Sequence, residues 1–380
     1  MVASLWLAVR TFARPTRFPH IASRLQHDRT RKLATLAEDT RSDLSFRIPL
    51  VDFSRFLAST SQTQKQETAD EIVSAFKEVG FVYLKNHRVG EGRLEEVFEK
   101  EFFALPQEKK DALAWEDPRA NRGYVRQGRE RVTQSTSAAE IAALRLQAPD
   151  TKESMEIGRD WDSVWMNRWP REEDVRGFRG VMLHFFQTCH DTHVQVMRAI
   201  ALGLRLPEPY FDPKINEQWH NLRLLSYPAI DTSLLRKEGQ ARAGAHSDYG
   251  TLTLLFQDAV GGLEVQNPHT KHFHPATPIP GTIVVNVGDL LSRWSNDTLR
   301  STLHRVVAPP SHTQTVTSPN TGAQSQVEIV PERNSIAFFC NPNFGAVVEC
   351  LPTCVGSEGP RYEPVLTEKY IVGRLSDTYT

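Results

Sequence analysis

Residues 243–255 read AGAHSDYGTLTLL, a glycine-containing stretch that runs into an apolar segment. The β-branched and aliphatic residues at its end indicate a strand. Side chains two positions apart on a strand share a face, so His246 and Asp248 are expected to point the same way. An imidazole and a carboxylate at this spacing can supply two of the three protein ligands of a facial iron site. The triplet alone is a weak signal, because His-x-Asp also arises by chance.

A third ligand is available on another strand-like segment. His304 lies in STLHRVV at positions 301–307, far along the chain from Asp248. A jelly roll can bring such segments together, because its strands alternate between two facing sheets. Three protein ligands would leave positions of an octahedral iron open for a cosubstrate and oxygen.

A candidate anion clamp follows in ERNSIAFF at positions 332–339, where Arg333 and Ser335 share one face of a predicted strand. Arginine binds a carboxylate through two parallel charge-assisted hydrogen bonds, and a serine hydroxyl can add a third. A buried arginine without an anionic partner is costly. Tyr227, in RLLSYP, offers a phenol to the same anion. The alternatives are a structural salt bridge for Arg333 and core packing for Tyr227.

The second half of the chain has a sequence pattern typical of β-strands. Short apolar segments with Gly and Pro between them predict strands at 222–227, 251–257, 262–266, 282–287, 303–308, 327–330 and 335–339. This pattern indicates a sandwich or jelly roll. Between two of these strands, residues 311–326 are rich in Ser, Thr and Gln and predict a long flexible loop.

The first half is predicted to be mostly helical. Apolar residues recur at helical spacing from Ala69 to Val79 and end at Gly80, after which residues 81–84 read as a buried strand. A long amphipathic helix is predicted from Val175 to Leu204. The Ala-rich residues 138–146 suggest a surface helix or a mobile loop. The predicted fold class is therefore α+β, with a double-stranded β-helix (jelly roll) core and a mostly helical N-terminal region packed around it.

The predicted organisation has four parts. They are a basic N-terminal extension (1–45), a helical N-terminal region (46–215), a jelly-roll core (216–345) with a loop insertion at 309–326, and a C-terminal tail with a helix (346–380). No acidic residue precedes Asp28, while arginine recurs among Ser, Ala and aromatic residues. This composition is typical of a mitochondrial transit peptide, and the alternative is a disordered basic tail. The expected location is cytoplasmic, with mitochondrial import as the alternative.

Composition narrows the function classes. Hydrophobic residues make up 39% of the chain, charged residues 24%, and the formal charge is −1, as in ordinary soluble proteins. The small charge argues against nucleic acid as the main partner. No run of 18 apolar residues exists, so no membrane span is expected.

Cysteine and histidine usage leaves two minor metal alternatives. Four cysteines are too few for a disulfide framework and indicate a reducing compartment, although Cys350 and Cys354 are close enough in sequence for a zinc or redox role. His269, His272 and His274 form a separate cluster, which is interpreted as an exposed turn, with a metal site as the alternative.

Taken in order, the motifs resemble the non-haem iron(II), 2-oxoglutarate-dependent dioxygenases, in the branch similar to isopenicillin N synthase and the plant flavonoid and gibberellin oxygenases. The resemblance covers the chain from Arg47 to the end. The matching pieces are IPLVD (48–52), GFVYLKNH (80–87), KESMEIG (152–158), His246-x-Asp248, NVGD (286–289), HRV (304–306), Arg333-x-Ser335, YEP (362–364) and Tyr370.

The resemblance implies roles residue by residue. His246, Asp248 and His304 would bind Fe(II), while Arg333 and Ser335, assisted by Tyr227, would hold the distal carboxylate of the cosubstrate 2-oxoglutarate. With O2, such an enzyme hydroxylates or desaturates a small, partly apolar metabolite, here one of secondary metabolism, and releases succinate and carbon dioxide. A monomer with a small-molecule substrate is expected. The alternatives are an Fe(II)/O2 oxidase that does not use 2-oxoglutarate and a non-catalytic binding protein on the same jelly roll.

Two departures from the family pattern bear on the site. Leu225 stands where many relatives carry asparagine, so part of the cosubstrate's polar network is expected to be missing. The separation between His304 and Arg333 is longer than usual. The extra residues fall in the Ser/Thr/Gln-rich segment and should leave the flanking strands intact.

Overall fold

The structure is a computed structural model that describes residues 43, 45–99, 101–117, 121–128, 150–235, 242–317 and 324–379. Within it, Arg47–Thr380 forms one compact unit. The basic N-terminal segment, with its two interpretations as a transit peptide or a disordered tail, falls on residues 1–42, outside the described part of the chain. The helix or loop predicted at 138–146 lies outside it as well. The division between a helical region and a core at residue 215 stays a prediction.

The described strands are β1 Leu50–Asp52, β2 Phe81–Lys85, β3 Gly123–Val125, β4 Glu153–Ile157, β5 Asn221–Tyr227, β6 Ile230–Asp231, β7 Ala243–His246, β8 Leu252–Gln257, β9 Leu263–Gln266, β10 Phe273–Pro275, β11 Thr282–Val287, β12 His304–Val306, β13 His312–Thr317, β14 Gln324–Val330, β15 Arg333–Cys340, β16 Val347–Val348 and β17 Val365–Leu366. The described α-helices are α1 Ser54–Leu57, α2 Gln62–Glu78, α3 Glu91–Phe98, α4 Gln107–Asp111, α5 Phe178–Gly203, α6 Asp212–Ile215, α7 Asp289–Trp294 and α8 Thr367–Tyr379.

Two sheets build the jelly roll. The larger has the order β1-β2-β11-β8-β15-β5-β4-β3 and the smaller β10-β9-β12-β7. Except for the parallel pair β1–β2, the strand pairs of these sheets are antiparallel. Side chains from both sheets line one cavity, so the sheets face each other across it. The predicted α+β class with a jelly-roll core is confirmed.

The N-terminal region contributes strands as well as helices. β1 and β2 extend one edge of the larger sheet, and β4 and β3 extend the other. β3 and β4 are not among the strands predicted from the sequence. β4 contains the polar residues Glu153, Ser154 and Glu156. Glu153 pairs with Lys110 and Glu156 with Arg223 on other elements, while Ser154 donates to Glu156 within the strand, and local sequence does not reveal these long-range pairs.

The helices α2 and α5 cover the outer face of the larger sheet. α5 buries Phe185 against Phe256 of β8 and Phe186 against Phe338 of β15, with ring centroids 5.2 and 5.1 Å apart. α2 ends as predicted before Gly80, whose φ is +79°. A Cβ at this position would lie 2.3 Å from the carbonyl oxygen of Arg300, so only glycine allows the chain to turn here into β2.

The flexible loop predicted at 309–326 is corrected by the structure. His312–Thr317 and Gln324–Val330 pair as an antiparallel ribbon, and residues 318–323 lie outside the described part of the chain. Residues 312–315 of β13 are exposed, so this part of the ribbon does not need apolar side chains. Backbone pairing and cross-strand bonds such as Thr313 Oγ1 to Glu328 Oε1, at 2.7 Å, stabilise the ribbon instead. The flanking strands β12 and β15 are intact, as expected.

Candidate active site

Two neighbouring strands of the smaller sheet bring the candidate metal ligands together. His246 ends β7, His304 begins β12, and the two residues are direct cross-strand partners. Asp248 follows two residues after His246. Its Oδ1 lies 3.8 Å from Nε2 of His246 and its Oδ2 lies 3.7 Å from Nε2 of His304. The ligand atoms of all three residues lie within 4.8 Å of one another, as a shared metal ion requires.

Hydrogen bonds set the tautomer of both histidines. Nδ1 of His246 lies 2.8 Å from the carbonyl oxygen of Gly244, and Nδ1 of His304 lies 3.2 Å from that of Thr302. A carbonyl oxygen only accepts, so each Nδ1 carries the proton and each Nε2 keeps a lone pair facing Asp248. Burial lowers the pKa of His246 to about 4. The imidazole is therefore neutral at pH 7, the form that binds metals.

Asp248 is held in its ionised form. Its Oδ2 accepts hydrogen bonds from Thr253 Oγ1 at 2.6 Å and from Asn286 Nδ2 at 2.7 Å. Burial opposes ionisation, but the two histidines and these two donors outweigh it and hold the pKa of the carboxyl below its ordinary value. The carboxylate is thus available as an anionic ligand and fixed in orientation.

Close backbone packing places Asn286 beside Asp248. The backbone N–H of Asp289 donates to the carbonyl of Asp248 at 2.7 Å. A Cβ on Gly288 would lie 2.4 Å from the carbonyl oxygen of Gly250, so a larger residue would push β11 away from the ligand turn.

Removing either donor to Asp248 should weaken the metal site. We expect Thr253→Val and Asn286→Ala each to lower Fe(II) affinity by roughly 10- to 100-fold, because a ligand freed from its outer partners loses orientation. Anaerobic Fe(II) titration of the purified protein measures this. Thr282→Val, on the same strand as Asn286 but bonded to Ile279, is the control and should bind as the wild type does. Unchanged affinity in both donor variants would show that the contacts do not support the site.

A second histidine group has the wrong protonation for a metal. His190, His193 and His220 also place ligand atoms within 4.8 Å of one another. However, the backbone N–H of Asn341 donates to Nδ1 of His220 at 3.1 Å, so the proton of His220 is on Nε2. That proton is donated to Nδ1 of His190 at 3.0 Å. The nitrogen of His220 that faces the group is therefore protonated, and the group is a hydrogen-bonded part of the core.

The buried histidines should make folding sensitive to acid. Burial lowers the pKa values of His193 and His220 well below 6.5, their ordinary value. Below pH 6.5 the unfolded chain binds protons at these histidines, whereas the folded chain does not. The free energy of unfolding is therefore highest above pH 6.5 and falls below it. The loss is about 1.4 kcal/mol for each histidine near pH 5.5. Urea unfolding between about pH 7.5 and 5.5 measures it.

The variant His193→Gln isolates this effect, because glutamine keeps an N–H donor toward Thr251, which lies 3.1 Å from Nε2 of His193. As the pH falls from about 7.5 to 5.5, this variant should lose less free energy of unfolding than the wild type. The difference should equal the contribution of one histidine, because its unfolded chain takes up one proton fewer. Identical pH profiles would contradict the explanation.

The other end of the cavity carries an unpaired cation. Arg333 is 1% exposed. Its Nη1 donates to Ser335 Oγ at 3.0 Å, and its Nη2 lies 3.5 Å from Gln257 Oε1. Its guanidinium carbon is 4.9 Å from the centre of the Tyr227 ring. No carboxylate among the described residues forms an ion pair with Arg333, and its Nε is buried without a hydrogen-bond partner. An orphaned buried cation of this kind fits an anionic ligand.

One cavity joins the histidine–aspartate cluster to Arg333. Leu225, Leu255 and Phe339 supply apolar wall. Leu225 is the cross-strand partner of Ser335, so the wall beside the predicted anion clamp is apolar. Of the two phenylalanines at the end of β15, Phe339 lines the cavity and Phe338 packs in the core.

The remaining cations of the cavity wall are already paired. Nε of Arg223 lies 2.7 Å from Glu156 Oε1, and its guanidinium carbon is 5.3 Å from the centre of the Phe339 ring. Lys152 Nζ lies 2.9 Å from Asp150 Oδ2, and both side chains are buried. Because these charges are neutralised, the wall suits a neutral polar molecule, whereas the Arg333 end suits an anion.

Several site residues were not assigned a role from the sequence. Thr253, Asn286, Gln257 and Arg223 all sit in strands that are otherwise mostly apolar. A polar side chain at an inward position of such a strand is a signal that could have found them. The other metal candidates lie outside both histidine groups of the described chain. His269 and His272 lie in the turn between β9 and β10, His274 lies in β10, and Cys350 and Cys354 lie in the C-terminal tail.

A jelly roll that brings two histidines and a carboxylate together beside an unpaired buried arginine defines the class of non-haem iron oxygenases. Comparison with known proteins agrees. Residues 48–172 match the non-haem dioxygenase in morphine synthesis N-terminal family, and residues 219–342 match the 2OG-Fe(II) oxygenase superfamily. No helix among the described residues has the length and apolar character needed to cross a bilayer.

Relatives match nearly end to end. The 2-oxoglutarate-Fe(II) type oxidoreductase ppzD of Metarhizium rileyi is 35% identical over 88% of this chain and 92% of its own length. The proline hydroxylase buaE of Petromyces alliaceus is 35% identical over 87% and 98%. A full-length Neurospora crassa protein, crystallised in complex with alpha-KG (2-oxoglutarate) and thymine, is 47% identical, with a TM-score of 0.77 and coverage of 87% and 97%.

The chain therefore belongs to the 2-oxoglutarate- and Fe(II)-dependent dioxygenases. It is an oxidoreductase whose cofactors are Fe(II), the cosubstrate 2-oxoglutarate and O2.

Proposed function

We propose that His246, Asp248 and His304 bind the Fe(II), and that Arg333, with Ser335 and Tyr227, binds the distal carboxylate of 2-oxoglutarate. The observation that carries this assignment is the contrast within one cavity. One end presents two imidazole lone pairs and a carboxylate, and the other presents a buried cation that has no anionic partner among the described residues. A divalent cation and a dicarboxylate complement these two ends.

When bound, the iron couples O2 reduction to decarboxylation of 2-oxoglutarate, giving succinate and carbon dioxide, and to oxidation of a substrate C–H bond. The protein's own residues orient and shield these groups. Arg333 and Ser335 fix the position of the cosubstrate's far end. Leu225, Leu255 and Phe339 keep water from the cavity wall, which protects reactive species from side reactions.

The substrate we propose is a free pyrimidine base, thymine, oxidised at its methyl group. The Neurospora crassa protein at 47% identity was crystallised with thymine, and a further structure of it holds 5-formyluracil. In this chain Phe339 and Arg223 both line the cavity, so its wall offers an apolar surface beside N–H donors. A neutral planar ring with carbonyl acceptors matches that surface and the neutralised charges around it.

Turnover of candidate substrates tests the proposal. With Fe(II), 2-oxoglutarate and O2, the purified protein is expected to convert thymine to 5-hydroxymethyluracil, with succinate and product formed in equal amounts by mass spectrometry. Arg223→Met should raise the KM for thymine and leave the KM for 2-oxoglutarate unchanged. Turnover of L-proline but not thymine would favour the second candidate, an amino-acid-derived metabolite of secondary metabolism, which the likeness to the proline hydroxylase supports.

The proposed setting is a cytoplasmic monomer that acts on a small molecule and does not bind nucleic acid. The formal charge of −1 supports the last point. The four free cysteines, two of them buried, support a reducing compartment. N-terminal sequencing of the protein isolated from cells would detect an imported, cleaved form, and light scattering would detect an oligomer.

A further inference from the structure

Arg242 is a fully buried arginine at the start of the iron-ligand strand β7. Its Nη2 donates to the carbonyl of Pro228 at 2.6 Å, and its Nη1 donates to that of Pro331 at 3.0 Å. Its backbone N–H donates to the carbonyl of Val306 at 2.9 Å. One side chain thus connects the end of β5, the approach to β15 and the strand that carries His246.

The guanidinium of Arg242 also faces the proposed cosubstrate clamp. Its carbon lies 5.3 Å from the centre of the Tyr227 ring, and that of Arg333 lies 4.9 Å from the same ring. Tyr227 therefore contacts two guanidinium groups. Neither arginine forms an ion pair with a described carboxylate, and each has a buried Nε without a hydrogen-bond partner.

Among the described residues, neither cation has an ion-pair partner. Burial, with the charge of Arg333, lowers the pKa of Arg242 to about 10, so Arg242 stays charged at neutral pH. The carboxylates that act on it over longer distances are Asp258 and Glu332. Asp258 accepts the backbone N–H groups of Val260 and Asn334, which fix its carboxylate in place, and it forms no ion pair with Arg242 among the described residues. An incoming carboxylate at Arg333 would relieve the repulsion between the two arginines.

We propose that Arg242 is a positioning residue of the 2-oxoglutarate site, which acts through Tyr227 and supplies a second positive charge for the distal carboxylate. This inference rests on the proposed role of Arg333. It adds a residue that is remote in sequence from the Arg333-x-Ser335 motif. It also predicts that the effect is confined to ligands with a distal carboxylate.

A purely structural brace would behave differently. Its loss would loosen β5, β7 and β15 together, so the affinities for every ligand of the cavity would fall with the melting temperature. If Arg242 acts through its charge and through Tyr227, its loss should lower the affinity only for ligands that carry a distal carboxylate. Two 2-oxo acids make this comparison, 2-oxoglutarate and 2-oxobutanoate, which shares the 2-oxo acid group but lacks the second carboxylate.

The experiment measures binding of both acids to the anaerobic, Fe(II)-loaded full-length protein by calorimetry. Arg242→Met is expected to weaken 2-oxoglutarate binding roughly tenfold, the coupling typical of interacting neighbours, and to leave 2-oxobutanoate binding nearly unchanged. Arg242→Lys retains the charge and should recover part of the loss, and it also serves if the methionine variant does not fold. Arg300→Gln removes an arginine–carbonyl bond to Lys77 on the surface and should change neither affinity.

Equal weakening of both acids, or full 2-oxoglutarate affinity in Arg242→Met, would overturn the inference. The outcome is independent of the organic substrate, because none is added. Arg333→Met, measured in parallel, tests the cosubstrate assignment separately from the role of Arg242. If Arg333→Met binds 2-oxoglutarate normally, the cosubstrate assignment itself fails, whereas loss in Arg333→Met alone rejects only the role of Arg242.

Discussion

Replacing Asp248 by alanine is expected to abolish specific Fe(II) binding and with it all 2-oxoglutarate turnover. The carboxylate is the anionic member of the proposed ligand set, and its removal leaves two neutral imidazoles in a buried site. Removing a hydrogen-bond partner of a metal ligand typically lowers metal affinity by 10- to 100-fold. Removing the ligand itself should therefore lower Fe(II) affinity by more than about 100-fold. Anaerobic Fe(II) titration and succinate release measure the two effects.

The other histidine group provides a matched control. His190→Gln changes a buried histidine that belongs to a cluster of the same size but with a protonated nitrogen facing the group. This variant should bind one Fe(II) with wild-type affinity. Equal Fe(II) affinity in Asp248→Ala and the wild type would mean that Asp248 is not a ligand. If only His190→Gln loses Fe(II) binding, the metal binds at the His190, His193 and His220 group instead.

Replacing Arg333 by methionine is expected to weaken 2-oxoglutarate binding by more than about thirtyfold, the range found when one partner of a buried charge pair is removed. The same variant should not lower the melting temperature of the protein free of 2-oxoglutarate. An unpaired buried guanidinium is destabilising, so an apolar side chain of similar length relieves that cost. Differential scanning fluorimetry with and without 2-oxoglutarate shows both effects.

A paired arginine should behave in the opposite way. Arg198 on α5 makes a bidentate contact with Asp212, with Nη2 to Oδ2 at 2.7 Å. Arg198→Met should lower the melting temperature modestly and leave the shift caused by 2-oxoglutarate unchanged. If Arg333→Met instead destabilises the protein and keeps the full shift, Arg333 has a structural role and the clamp lies elsewhere.

The β elements of the core were predictable because each has a strong local pattern. Leu252–Gln257 and Thr282–Val287 are rich in β-branched and aliphatic residues and are bounded by glycine. Phe178–Gly203 was predictable from its helical spacing of apolar residues. By contrast, Glu153–Ile157 and His312–Thr317 are polar strands. The first is stabilised by ion pairs with distant residues and the second by backbone pairing, so neither has a local apolar signature.

The sequence alone predicted the reaction class, through an ordered set of motifs that resembles one dioxygenase family. Such motifs persist in sequence because metal and carboxylate chemistry needs particular residue types, as in His246-x-Asp248 and Arg333-x-Ser335. Tertiary structure alone decided which groups complete the site. His304 becomes the cross-strand partner of His246, and Asn286 reaches Asp248, only because non-local strand pairing brings them there. The protonation of each histidine and the pairing of each arginine are likewise set by neighbours distant in sequence, since hydrogen bonds and burial depend on the packed chain.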